Sequence, residues 1–280
     1  MTSSSAESST TEVDFSSLDQ WLAWRAANPR FFDDAITDSI RQWSKANGIV
    51  EPLTGRRFAP DEIDWNPDNY RESGLAGGLI SRHRAALLAM SQCVPNLDRY
   101  ESKIYGPEAI TELAFLLRGR FAKYIGSEYA SNHHVKDWLY PINSEDLTAL
   151  SLASDAFDAV LTTEVLEHVP GIDRALSEIF RVLKPGGWHV GTCPFLFGQH
   201  DSIVKARLEN GRLVHVTEPE WHGNPMSEEG SLVFELPGWD VLARAKAIGF
   251  SRAFWRLIQS AYHGIASNTC GGVFVLCLQK

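Results

Sequence analysis

The pattern of apolar and polar residues changes near Pro95. Beyond it, short apolar runs alternate with amphipathic stretches. Such alternation is typical of βα units that form a parallel sheet. The run at 138–142 contains Pro141, which is typical of an edge or irregular strand. The apolar runs predict strands at 103–105, 124–126, 138–142, 157–161 and 188–192, and closing strands at 252–258 and 272–278.

The helices of this part of the chain are predicted from apolar residues at i, i+3, i+4 and i+7. Ile110, Leu113, Ala114 and Leu117 give one such face. A stronger face extends over 172–183, and we expect the Pro-Gly-Gly at 185–187 to stop that helix. A third helix is predicted over 238–248.

The chain before Pro95 has a different character. Residues 1–12 are mostly Ser, Thr and Glu, which predicts a disordered tail because little apolar surface is available to offset the ordering entropy. Residues 13–95 predict a helical cap with a Pro/Gly-rich loop over 51–78. Residues 96–280 then form the α/β domain. An insertion at 195–236, rich in His, Trp, Gly and Pro, is expected to form one wall of a substrate pocket.

The composition and net charge of the chain disfavour several classes of partner and location. The net charge is −9 with no Lys/Arg cluster, which disfavours nucleic acid and anionic membranes as partners. The absence of an apolar run near 18 residues and of a basic-then-apolar start predicts a cytoplasmic protein. Four dispersed cysteines predict free thiols and no metal site, and adjacent His133 and His134 are not expected to bind metal. A homodimer is compatible with the sequence.

Two segments carry a family resemblance. FDAVLTTEVLEHVP at 157–170 and EIFRVLKPGG at 178–187 resemble the motifs of class I S-adenosylmethionine-dependent methyltransferases of the type 11/12 group. The resemblance implies a Rossmann-like, seven-stranded sheet, S-adenosyl-L-methionine as cofactor and methyl transfer to O, N or C of a small molecule, such as a secondary metabolite. Two alternatives stay open: a cyclase or lyase on the same fold, and a non-catalytic binding protein.

The resemblance also implies where the cofactor binds. In open α/β sheets, ligands bind outside the carboxyl ends of the strands. Glu128 takes the position of the ribose acceptor and Asp146 that of the adenine-loop acid, with Glu145 as its rival. The full set of expected cofactor-binding residues is Tyr105, Gly106, Glu108, Glu128, Tyr129, Asp146, Leu147, Thr163 and Glu164.

One departure from the family pattern affects the methionine end. The loop after the first strand, IYGPEAIT at 104–111, has a single glycine, whereas the family loop is glycine-rich to allow close backbone approach. Glu108 or Thr111 is then a candidate to bind the amino group.

Three further residues have competing interpretations. His222, within the insertion, is the candidate catalytic base because a neutral imidazole accepts a proton near neutral pH; ordering of its loop is the alternative. Arg82 and Arg84 are candidates to bind a carboxylate of the cofactor or substrate, against a solvated helix face.

Overall fold

The computed structural model describes residues 10–130, 133–224 and 227–280. Its strands, in chain order, are β1 (Thr10–Phe15), β2 (Ile49–Val50), β3 (Arg57–Phe58), β4 (Ile104–Gly106), β5 (Ile125–Glu128), β6 (Asn143–Ser144), β7 (Phe157–Thr163), β8 (Leu183–Thr192), β9 (Ile203–Val204), β10 (Ala206–Glu209), β11 (Arg212–His215), β12 (Trp221–Asn224), β13 (Ser227–Leu232), β14 (Glu235–Leu236), β15 (Arg252–Ser260) and β16 (Val273–Gln279). Its α-helices are α1 (Leu18–Ala27), α2 (Asp34–Asn47), α3 (Ser81–Cys93), α4 (Glu112–Arg120), α5 (His133–Leu139), α6 (Ile172–Val182) and α7 (Asp240–Ile248).

An eight-stranded sheet in the order β1-β15-β16-β8-β7-β4-β5-β6 organises the molecule. The strands from β8 to β6 pair in parallel, whereas β16 pairs antiparallel with both β8 and β15. The alternating pattern predicted this parallel α/β arrangement, and the family resemblance implied its Rossmann-like fold. The expected number of seven strands was wrong by one, because β1 adds an outer strand to β15.

Helices cover both faces of the sheet. The amphipathic faces of α6 and α7 pack on one side, where they share a core with Trp21 of α1. The apolar residues of α3 and α4 pack on the other side. The central strands β4, β7 and β8 lie between these two layers. Packing on both faces therefore fixes the positions of their carboxyl ends.

The N-terminal region differs from the prediction in two respects. Thr10, Thr11 and Glu12, expected in a disordered tail, pair with β15; residues 1–9 lie outside the described residues. The segment 13–95 is helical in part, as expected, but its last helix, α3, belongs to the main core. Ser17 caps α1 by accepting a hydrogen bond from the Gln20 amide at 3.3 Å, as its position before an apolar face predicts.

The third predicted strand, at 138–142, was wrong. Trp138 and Leu139 end α5, and the strand that follows is the two-residue β6 at the sheet edge. Pro141 can donate no ladder hydrogen bond, which accounts for the late start of β6. The Pro-Gly-Gly segment also does not end α6, which stops at Val182, and lies within β8.

The insertion between β8 and α7 consists of short antiparallel strands. Strands β10 and β11 form one hairpin, β12 and β13 form another, and β9 pairs with β14. Within the described residues, none of the helices is both apolar and long enough to span a bilayer.

Candidate functional site

A cavity of about 1560 Å³ opens at the carboxyl ends of β4, β5 and β7. The loops after these strands form its floor, the segment before α3 lines one side, and the hairpins of the insertion line another. The expected residues that line it are Glu108, Glu128, Tyr129, Asp146, Leu147, Thr163, Glu164 and His222. Eight of the ten expected site residues thus lie around one space.

The two remaining residues lie beneath the cavity. The Tyr105 side chain is fully buried, and its hydroxyl lies 2.9 Å from Ser127 Oγ. Gly106 pairs with Gly126 in the neighbouring strand, and a Cβ at Gly106 would approach the Tyr124 hydroxyl to 2.6 Å. Both residues therefore support the loop, and a side-chain contact of Tyr105 with a ligand in the cavity is excluded by its burial.

Glu128 ends β5 and fixes the loop that follows β4. Its Oε1 accepts hydrogen bonds from the amides of Ala109 at 2.8 Å and Ile110 at 3.2 Å. Among the described residues, Oε2 has no partner, and the side chain lines the cavity. One oxygen is thus structural, and the other is available as an acceptor.

Asp146 and Glu145, the two candidates for the adenine-loop acid, differ in how many of their carboxylate oxygens accept hydrogen bonds. Both Glu145 oxygens accept hydrogen bonds from Ser151. Asp146 uses only Oδ1, which accepts from the amide and hydroxyl of Thr148. This difference favours Asp146 as the acid with acceptor capacity for a ligand.

Glu108 ties the loop after β4 to the end of β7. Its Oε1 accepts from the Thr163 amide at 3.2 Å and from the Thr163 hydroxyl. Burial raises the pKa of Glu108 above its ordinary value, against the opposing effect of the Thr163 hydrogen bond and the charge of Arg82. The protonated form is thereby favoured relative to an exposed carboxyl.

Glu164 is held in an unusual backbone conformation, with φ of 56°. Its carboxylate accepts from Arg71 in a two-point contact, at 2.6 Å and 3.1 Å. Although burial opposes ionisation, the charges of Arg71 and Arg82 hold the pKa of Glu164 below its ordinary value. This pair joins the segment before α3 to the end of β7.

The two candidate arginines of α3 have different environments. Arg84 is fully buried and donates to the carbonyls of Leu79, His263 and Gly264, so it serves the core and not a ligand. Arg82 lines the cavity and donates from Nε to Glu72. The buried Nη1 of Arg82 has no hydrogen-bond partner within the described part of the chain, which makes it an available donor.

His222 lies on β12, and its ring lines the cavity opposite the strand ends. Its Nε2 lies 3.2 Å from Glu220 Oε1 and its Nδ1 lies 3.8 Å from Glu167 Oε1. The carboxylates of Glu167 and Glu220 raise the pKa of His222 above its ordinary value, although burial opposes them. The His168 ring stands edge-on to the His222 ring, with centroids 5.1 Å apart.

Sequence analysis missed three residues of this site. Arg71 and Glu72 belong to a segment predicted only as loop, and their side chains reach the cavity because α3 packs against the sheet. Glu167 lies inside the LEHV segment of the family-like motif. The local signal for Glu167 was its position four residues beyond the end of β7, on the rim side of the sheet.

The chain is similar in sequence to known methyltransferases. A family model described as a methyltransferase domain matches residues 118–191. Over 146 residues the chain is 47% identical to demethylmenaquinone methyltransferase of Streptomyces avermitilis, covering 50% of this chain and 56% of that protein. It is 23% identical over 158 residues to ubiquinone biosynthesis O-methyltransferase of Coxiella burnetii, covering 54% of this chain and 56% of that protein. The chain thus spans little more than half the length of these two curated relatives.

Among solved structures, an S-adenosylmethionine-dependent methyltransferase of Mesorhizobium loti aligns with a TM-score of 0.42 and 14% identity, covering 70% of this chain and 98% of that chain.

Proposed function

We propose that the chain is a class I S-adenosylmethionine-dependent methyltransferase, which binds S-adenosyl-L-methionine in the cavity and transfers the methyl group to a small-molecule acceptor. The family model that matches residues 118–191 supports this proposal. The observation that carries the proposal is the convergence of Glu108, Glu128, Asp146, Thr163 and Glu164 on one cavity at the carboxyl ends of the strands. Binding there follows the general rule for open α/β sheets.

The adenosyl end of the cofactor would lie between Glu128 and Asp146. Each has one carboxylate oxygen committed to the local backbone and one without a partner in the described structure. Ribose hydroxyls and the adenine amine are donors, so these oxygens supply the acceptors that they need. Buried Leu147 lines the cavity beside Asp146 and offers the adenine ring an apolar contact.

The methionine end would lie toward the segment before α3. Its carboxylate matches the unpaired Nη1 of Arg82, since a guanidinium donates strongly to carboxylates. Glu164 is already paired with Arg71, so it supports the backbone at the end of β7 instead of binding the amino group. Thr111, which lines the cavity and caps α4, stays a candidate for that amino group.

The acceptor would lie against the hairpins of the insertion. Leu208 and Leu213 of the first hairpin line the cavity although each is nearly half exposed. They provide a partly apolar contact surface, and His222 lies next to it. Positioning of the methyl donor and the acceptor supplies much of the rate of methyl transfer. The hairpins of the insertion therefore need not provide a strong base.

Isothermal titration calorimetry with S-adenosyl-L-methionine tests the cofactor assignment. We expect affinity in the micromolar range, and absence of binding to the wild-type protein would contradict the proposal. Incubation with a panel of small acceptors, including demethylmenaquinone, then tests the reaction. Formation of S-adenosylhomocysteine together with a methylated acceptor is the expected result; conversion of an acceptor with the cofactor unconsumed would instead support a cyclase or lyase.

A further inference from the structure

Glu167, His168 and His222 form a cluster beside the acceptor wall that the cofactor does not explain. One potential ligand atom from each residue lies within 4.8 Å of the other two. His168 and His222 line the cavity, and Glu167 Oε1 lies within 4 Å of both rings. Two of the three residues come from the segment after β7 and the third from hairpin β12–β13, so the tertiary fold creates the cluster.

The Glu167 carboxylate is the unusual member of the cluster. Its side chain is fully buried, and neither oxygen has a hydrogen-bond partner among the described residues. Burying a carboxylate without a hydrogen bond or a paired charge is strongly unfavourable. Ionised buried acids in proteins are normally paired with a cation or bound to a metal, so Glu167 is suited to a cationic partner.

The hydrogen bonds of the two histidines fix which nitrogen faces Glu167. His168 Nδ1 lies 2.9 Å from the Leu232 carbonyl oxygen, which can only accept, so Nδ1 carries the proton. His222 Nε2 lies 3.2 Å from Glu220 Oε1, which places its proton there. In the neutral rings, the lone pairs of His168 Nε2 and His222 Nδ1 therefore face Glu167 Oε1, at 3.6 Å and 3.8 Å.

When both imidazoles are neutral and Glu167 is ionised, three electron-pair donors face one another, and a metal ion satisfies such an arrangement. Metal-binding histidines commonly donate their second N–H to a carbonyl or carboxylate, as both do here. The observed N–O separations are slightly wider than the roughly 3.3 Å between ligands of a tetrahedral zinc ion. A small inward movement of the side chains would close the site.

We propose that Glu167, His168 and His222 bind a divalent transition-metal cation, with Zn²⁺ as the best match. Two imidazoles and one carboxylate suit such cations, whereas Mg²⁺ prefers oxygen ligands alone. A site with three protein ligands leaves at least one coordination position for another ligand, and two of the three residues, His168 and His222, line the cavity.

From the metal site we infer that the acceptor atom is a hydroxyl oxygen, an inference that rests on the proposed function. An acceptor hydroxyl bound at the open position would lose its proton to solvent more readily, because the cation stabilises the oxyanion. An oxygen lone pair then forms the new bond to the methyl carbon, the methyl–sulfur bond breaks, and its electron pair stays on sulfur, which leaves S-adenosylhomocysteine. In this role His222 is a ligand instead of the base that the sequence suggested.

Metal titration into chelator-stripped full-length protein tests the site directly. We expect one equivalent of Zn²⁺ to bind in calorimetry, at least about 100-fold tighter than Mg²⁺. Glu167→Gln and His222→Ala should each weaken Zn²⁺ binding by at least about 100-fold. Glu220→Gln, which removes only the outer partner of His222, should weaken it by about 10–100-fold. The matched control His215→Ala changes an exposed histidine on β11 and should bind Zn²⁺ as the wild type does.

Absence of Zn²⁺ binding to the wild type, equal affinity for Zn²⁺ and Mg²⁺, or unchanged binding in Glu167→Gln would each overturn the metal site. Titration of S-adenosyl-L-methionine into the same metal-free samples separates the two proposals. Cofactor binding without Zn²⁺ binding overturns the metal site alone, and Zn²⁺ binding without cofactor binding overturns only the proposed function. Retained cofactor binding in the variants also shows that they are folded.

Discussion

Two sides of the cavity differ in how their polar groups are hydrogen-bonded. One is the rim, formed by the carboxyl ends of β4, β5 and β7, and the other is the wall, formed by hairpins β10–β11 and β12–β13. On the rim, Glu128 and Glu108 accept hydrogen bonds from neighbouring loops, and Glu164 is paired with Arg71. Glu167 follows β7 but lies beside His222 of the hairpins, and its carboxylate has no hydrogen-bond partner within the described residues. The hydrogen bonds of the strand-end side are thus already made, whereas the other side holds a buried carboxyl group without a hydrogen bond.

The difference indicates a division of labour. Preorganised acceptors bind a common ligand with little reorganisation, which suits the cofactor side. A region built from short hairpins and loops can vary without disturbing the sheet, which suits the acceptor side. The following variants test whether the two sides of the cavity act separately, in order of decreasing expected effect.

Arg71→Ala should lower the free energy of unfolding by about 1.5–3 kcal/mol, because it removes the charge-assisted hydrogen bonds to the partly buried Glu164. Urea denaturation followed by circular dichroism measures the loss. The control Arg174→Ala removes an exposed arginine of the same cavity and should change stability by less than about 0.5 kcal/mol. Similar losses in both variants would show that the Arg71–Glu164 pair has no special role.

Glu128→Ala should weaken S-adenosyl-L-methionine binding by about 1–3 kcal/mol, because it removes a charged acceptor and frees the amides of the loop after β4. Calorimetry provides the measurement, with Glu101→Ala, an exposed acid away from the cavity, as the control. Unchanged affinity in Glu128→Ala would remove this residue from the cofactor site.

Glu108→Gln should make stability less dependent on pH. Since burial raises the pKa of Glu108 above its ordinary value of 4.5, the folded state holds its proton to higher pH than the unfolded state. The wild type therefore loses stability relative to the variant as pH rises from about 4.5 through the raised pKa. Urea titrations of both proteins at pH 4 and pH 7 test this, and a constant difference between them would contradict the raised pKa.

Leu208→Ser, on the wall, should have the smallest effect on the protein itself. The side chain is 49% exposed, so we expect a stability change below about 0.5 kcal/mol and unchanged cofactor affinity. The KM for an apolar acceptor should rise, because the variant removes apolar contact area. A loss of cofactor affinity equal to that of Glu128→Ala would show that rim and wall do not act separately.

The sequence alone determined the sheet architecture and most of the rim. Alternating apolar runs marked the central strands, and the α6 face was evident from its periodicity, because these features are local and repeat at a fixed spacing. Glu128, Asp146 and Glu164 were found since each directly follows a strand or stands in a family-like motif. The order of parallel strands then places such positions at one edge.

Tertiary structure decided what local pattern could not express. The strand predicted at 138–142 failed because Trp138 and Leu139 end a helix, leaving only the two residues of β6 to pair. Arg82 and Arg84 look equivalent in sequence, yet one faces the cavity and the other the core. The contacts between Arg71 and Glu164, and between Glu167 and His222, join residues distant along the chain, so only the packing of α3 and the hairpins against the sheet brings these charges together.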